Sequence, residues 1–122
     1  MTVELPEFNG HVLPMRIVLV RDADEWQSLM RYMELDRVRP SAPATACWFE
    51  RHGYDDIVAI HLNEAQVNHR SFTERIALYA HECVHVAQYA AKIIGSRLGS
   101  EVEAYLVQAL LLWVIGECEE WQ

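Results

Sequence analysis

The chain has 122 residues, is 52% hydrophobic, and carries 18 acidic against 10 basic side chains for a formal charge of −8. That length suits one domain, residues 1–122, and that composition can build a core without disulfide staples. No clustered Lys or Arg is present to neutralise phosphates, which argues against a nucleic-acid partner, and the acidic balance argues against an anionic membrane.

The opening segment, MTVELPEFNGHVLP, is acidic and lacks the apolar run of a secretory leader. Met15 to Val20 (MRIVLV) is rich in β-branched residues and predicts a first strand. Asp22 or Asp24 can then cap a helix whose apolar spacing is supplied by Trp26, Leu29, Met30 and Met33. Two prolines, Pro40 and Pro43, mark a loop. Thr45 to Glu50 reads as a second strand, Arg51 to Asp56 as a turn, and Ile57 to Leu62 (IVAIHL) as a further strand. Asn68 or Ser71 can cap the next helix, and Ser71 with Glu74 has capping-box spacing. Helical periodicity then runs from Ile76 to Ile94, and Gly95 to Gly99 bracket a turn. A strongly apolar helix follows from about Ser100 to Ile115. It is too short and too interrupted, by Gln108, to read as a membrane span. The pattern is α+β: a small, mostly antiparallel sheet packed against two long helices.

Three cysteines, Cys47, Cys83 and Cys118, stand far apart without a CxxC. That spacing is no disulfide framework and fits a reducing cytoplasm.

His81-Glu82-Cys83-Val84-His85 is the chemically informative segment. Residues four apart share one helix face, so both imidazoles can reach one small ion. Glu82, rotated by roughly 100° from His81, is placed to touch water beside that ion rather than to ligate it. Neutral imidazoles that hold a Lewis acid, with a carboxylate that takes a proton from water, are what zinc hydrolysis requires. A third protein ligand is needed, and the following helix opens SEVEAYLVQ. Glu101, Tyr105 and Gln108 form a polar stripe at the spacing shared by His81, His85 and Gln88, which favours Glu101. Glu103, in phase with Val107 and Leu110, is the alternative. Gln88 or Tyr105 can accept the second N–H of a ligating imidazole. In IVAIHL, alternation sets Ile57, Ala59 and His61 on one face. An edge strand beside the cleft could pair with an extended peptide, and His61 either lines that cleft or, the preferred reading, is a half-exposed strand residue. His11, His52 and His69 have no useful spacing.

HECVH at 81–85, followed by EVEAY at 101–105, resembles the zincin superfamily of metallopeptidases in a minimal form. The wider pattern, HECVHVAQY then GSEVEAYLVQALL, is similar to short zincin-like proteins of bacteria and their phages. The resemblance implies Zn2+ bound by His81 and His85, with Glu82 activating water. In the family's E-x-x-A-[DN] pattern, Glu101 and Ala104 match, and Tyr105 stands at the acidic or amide position. The thermolysin-like pattern, a ligand glutamate directly before alanine, selects Glu103 instead. The implied activity is hydrolysis of a peptide amide, with Tyr105 as the candidate second donor to the oxyanion. The alternative is an inactive zincin-like domain serving as a protein-binding or regulatory module.

Overall fold

The computed structural model describes residues 5–8, 13–95 and 99–119. Most of the N-terminal segment, His11, the middle of the expected Gly95–Gly99 turn and Glu120 of the acidic tail lie outside these. The elements run β1 (Met15–Val20), α1 (Ala23–Met33), β2 (Ala44–Phe49), β3 (Asp56–Leu62), α2 (Glu64–Val67), α3 (Phe72–Ile94) and α4 (Ser100–Cys118).

The α+β architecture is as expected, and its centre is β3. After Asp56 at its start, DIVAIHL is apolar on both faces, apart from His61, and buried on both. Such a strand needs neighbours on each side and helices above and below. The three strands take the order β1-β3-β2. β1 pairs with β3 in parallel, Met15 opposite Asp56 and Val20 opposite His61. β2 pairs with β3 antiparallel, Ala44 opposite Leu62 and Phe49 opposite Ile57. A further antiparallel bridge, Glu7 to Val18, lies along the other edge of β1. There Phe8 N–H donates to the Ile17 carbonyl and Leu19 N–H to that of Pro6, both at 2.9 Å. β2 is the other edge, so the edge strand beside the site is β2 and not IVAIHL.

Each face of the sheet has its own core. α1 packs Trp26, Leu29 and Met30 against Val18, Val20, Phe49, Ile57 and Ala59. On the other face Tyr79, Cys83, Val86 and Ala90 of α3, with Leu110 and Val114 of α4, meet Ile17, Leu19, Val58, Ile60 and Leu62. α1 starts at the Asp22 cap, whose carboxylate accepts from Glu25 N–H at 2.8 Å. Ser71 and Glu74 close a reciprocal capping box at the start of α3, and Gly95 ends it at φ 76°, a left-handed conformation that glycine adopts without steric cost. Asn68 does not start α3; it caps the end of α2, a four-residue turn too short to leave a period in the sequence.

His61 departs from expectation. It is fully buried on the α1 side of β3, its ring edge-on to Trp26 at 5.4 Å between centroids. Nε2 accepts from Arg39 Nε at 2.7 Å, and Arg39 also bonds the Leu62 carbonyl and the Glu64 carboxylate. Asn63 N–H donates to the Pro43 carbonyl at 2.9 Å. These contacts pin the loop that leads into β2.

Burial first, and the Arg39 charge second, push the His61 pKa down from 6.5 to about 4. The folded chain therefore binds fewer protons than the unfolded chain in that window. Stability contributed by neutral His61 is complete above about pH 6.5 and is lost as the pH falls toward about 4. His61→Gln keeps an acceptor for Arg39 but cannot titrate. Urea unfolding at pH 7 and pH 4.5 is expected to show a smaller pH-dependent loss in the variant than in the natural chain. Equal losses would remove His61 as the cause.

Candidate metal site

α3 turns Tyr79, Cys83, Val86, Ala87 and Ala90 into the core. Helical phase then leaves His81 exposed and His85 half-buried along the seam with β2. Glu82 is between these surfaces and only 5% exposed. Ligating atoms of His81, Glu82 and His85 all lie within 4.8 Å of one another. The Nε2 atoms of the two imidazoles face each other at 3.1 Å.

The donor set fits a zinc ion. Two nitrogens each about 2.0–2.1 Å from one tetrahedral zinc stand roughly 3.3 Å apart, close to the separation these rings hold. His85 Nδ1 lies 3.3 Å from Gln88 Oε1, so Gln88 can accept the N–H that leaves Nε2 free as a ligand. This geometry supports Gln88, rather than Tyr105, as the residue that orients the imidazole.

Burial raises the Glu82 pKa; the charges of His81 and His85 and a hydrogen bond from the Ala46 backbone on β2 oppose it. A carboxylate whose proton affinity is raised, yet which keeps a donor and two imidazoles nearby, is suited to exchange protons with water. The thiols offer no rival chemistry. Burial pushes Cys47 up to about 11 and Cys83 and Cys118 up to about 12, so none is a thiolate near neutrality.

The cluster opens into a cleft of about 600 Å³ between α3 and β2. Pro43 to Ala46 form one wall; Leu78, His81, Glu82 and His85 form the other. Arg70 and Glu74 stand at one end and Tyr89 at the other. Tyr89 stacks on His85 at 6.5 Å and packs against Trp48 at 5.6 Å between centroids. Arg70 and Tyr89 were not legible as site residues, because their nearness to the histidines depends on how β2 docks.

α4 is placed differently from the expected second wall. Glu101 and Gln108 are exposed, and Tyr105 is 66% exposed. Glu103 is half-buried. Neither glutamate belongs to the three-residue cluster, and no α4 side chain lines the cleft. The polar stripe faces outward because α4 uses Leu110 and Val114 to cover the core. His52 and His69 are exposed and outside the cluster, and His61 is buried away from it.

No protein-family model, curated protein or solved structure matches the chain. Its class rests on its own geometry. A His81-Glu82-x-x-His85 motif with converging ligand atoms, on a helix packed against a mixed sheet and a C-terminal helix, is a minimal zincin-like arrangement. Among the described residues, no helix is long and apolar enough to cross a membrane.

Chelator-treated protein is expected to take up one zinc per chain in a calorimetric titration, and His81→Ala or His85→Ala to abolish that uptake. Gln88→Ala is expected to weaken it by about 10–100-fold. Stoichiometric zinc in a chain lacking both histidines would refute the site.

Proposed function

We propose that the chain is a zinc-dependent metallopeptidase that hydrolyses a peptide amide. The observation that carries this reading is the buried Glu82 carboxylate converging with His81 and His85 at an open cleft beside an edge strand. His81 and His85 would hold the zinc; Glu101 is the proposed third protein ligand and Glu103 the alternative, and since neither lines the cleft, α4 would have to bring its first turn there. Zinc, when bound, would supply a Lewis acid that polarises the scissile carbonyl and lowers the pKa of water. Glu82 then accepts one proton of the attacking water as the C–O bond forms. It returns that proton to the amide nitrogen as the C–N bond breaks, leaving a carboxylic acid and an amine. Tyr89, which lines the cleft, is the proposed second donor to the oxyanion; Tyr105, the donor expected from the sequence, is 66% exposed on α4 outside the cleft and is the competing candidate. The cytoplasm is the proposed compartment.

A second reading, an inactive zincin-like domain that binds another protein, is favoured by one observation. Val102, Tyr105 and Leu112 leave an apolar strip of α4 exposed at 56%, 66% and 64%.

Cleavage of a random peptide library, read by mass spectrometry, separates the two. Glu82→Gln is expected to retain zinc and lose about 10²–10⁴-fold in rate. Unchanged cleavage in that variant would exclude the proposed mechanism, and no cleavage by the natural zinc-loaded chain would favour the binding module. In the same assay, Tyr89→Phe should slow turnover while Tyr105→Phe does not; the reverse result would transfer the donor role to Tyr105.

Zinc affinity decides the third ligand. Glu101→Gln is expected to weaken binding by at least the roughly 10–100-fold typical of lost supporting contacts, and Glu103→Gln to leave it nearly unchanged. The opposite ranking would assign the ligand to Glu103.

A further inference from the structure

Arg70 lies at the end of the cleft, just before the Ser71 cap of α3. Arg16, Arg21, Arg39 and Arg75 each form an ion pair with a glutamate. Arg31, Arg37, Arg51 and Arg70 form none among the described residues, and of these only Arg70 has a buried donor, its Nε, without a hydrogen-bond partner. Its neighbour Glu74 forms no ion pair with it: that carboxylate accepts from Ser71 N–H at 3.2 Å in the capping box, and the Arg70 charge acts on it only at longer range, as a minor cause of its lowered pKa. A guanidinium held partly out of water with a donor unmet is costly. It is also ready for a carboxylate, which it can bind through two parallel N–H···O bonds.

The direction of the cleft says which carboxylate. Ala46 meets Glu82, and two residues later Trp48 meets Tyr89. β2 and α3 therefore run the same way, and Pro43 and Ala44 lie toward the Arg70 end. A peptide paired antiparallel to β2 would have its C-terminal side at Arg70. Glu74 and His81 are seven residues apart on α3, an axial distance of about 10 Å. Extended peptide covers about 3.3 Å per residue, so that span takes roughly two or three residues.

We propose that Arg70 is a specificity determinant that binds the carboxylate of a peptide substrate two or three residues downstream of the scissile amide. The preferred source is the free C-terminus, which makes the enzyme one that trims short C-terminal segments. An Asp or Glu side chain presents the same chemistry. The proposal rests on the peptidase reading, and its test uses binding as well as cleavage.

The probe is a randomised library of N-terminally fluorescein-labelled octapeptides, made once as free acids and once as C-terminal amides. Zinc-loaded Glu82→Gln protein keeps the cleft without turnover, and fluorescence anisotropy reads affinity. Free acids are expected to bind at least about tenfold more tightly than amides. Adding Arg70→Gln should erase that difference by weakening only the acids, and Arg70→Lys should restore part of it. Amides carrying Asp at successive positions form the second arm. Recovery of affinity by such a peptide assigns the subsite to an acidic side chain and overturns the C-terminal preference. Equal binding of acids and amides, equal weakening of both by Arg70→Gln, or no binding of either library overturns the Arg70 proposal altogether. Cleavage by the natural chain with no preference for free acids leaves the peptidase reading standing without it. Arg70-dependent binding without any cleavage leaves Arg70 standing and removes the peptidase.

Discussion

Glu82 sets the terms for the rest of the site. A carboxylate almost out of water on the inner side of a helix is tolerated only where donors and compensating charge meet it. Here the Ala46 backbone across the cleft, and the imidazoles one residue before and three residues after it, are what favour the ionised form. That requirement ties one height of α3 to one height of β2. Once the two are joined there, His81 and His85 stand at the mouth of a cleft instead of on an open helix surface.

The fold holds β2 where this contact needs it. β3, apolar on both faces, takes the centre of the sheet, and this leaves β2 as an edge. The Trp48 indole donates to the Asp56 carboxylate at 2.9 Å, which ties β2 to the start of β3. At its other end the Arg39–His61–Glu64 network and the Asn63–Pro43 hydrogen bond anchor the chain that enters β2. His61 thus serves the cleft from the far side of the sheet, by fixing its wall, without lining it. At the α4 end of the domain, Arg75 and Tyr79 of α3 both donate to the Glu119 carboxylate, Tyr79 at 2.8 Å. These clasps make the seam between α3 and β2 a consequence of the whole core.

The resulting cleft is chemically lopsided. One end carries Arg70, without an ion-pair partner among the described residues, the middle carries the histidines and Glu82, and the other end carries Tyr89, backed by the tilted Trp48 ring. In a chain of net charge −8, a cation without an ion-pair partner beside the proposed reactive groups is the feature on which the proposed substrate selection turns.

What the sequence determined by itself is local. The i, i+4 pairing of His81 with His85, the position of Glu82 between them and the Ser71–Glu74 cap follow from the 3.6-residue helical period and hold wherever the helix packs. The strands MRIVLV and IVAIHL were legible for the same reason, through β-branched runs bounded by turn residues. Packing decided the rest, because it joins segments that no period relates. It covered both faces of β3 and so buried His61. It made β2 the wall of the cleft and turned the Glu101–Tyr105–Gln108 stripe toward solvent, since α4 had Leu110 and Val114 to bury. It also brought Arg70 and Tyr89 to the two ends of the site, where their sequence neighbours give no hint of a role.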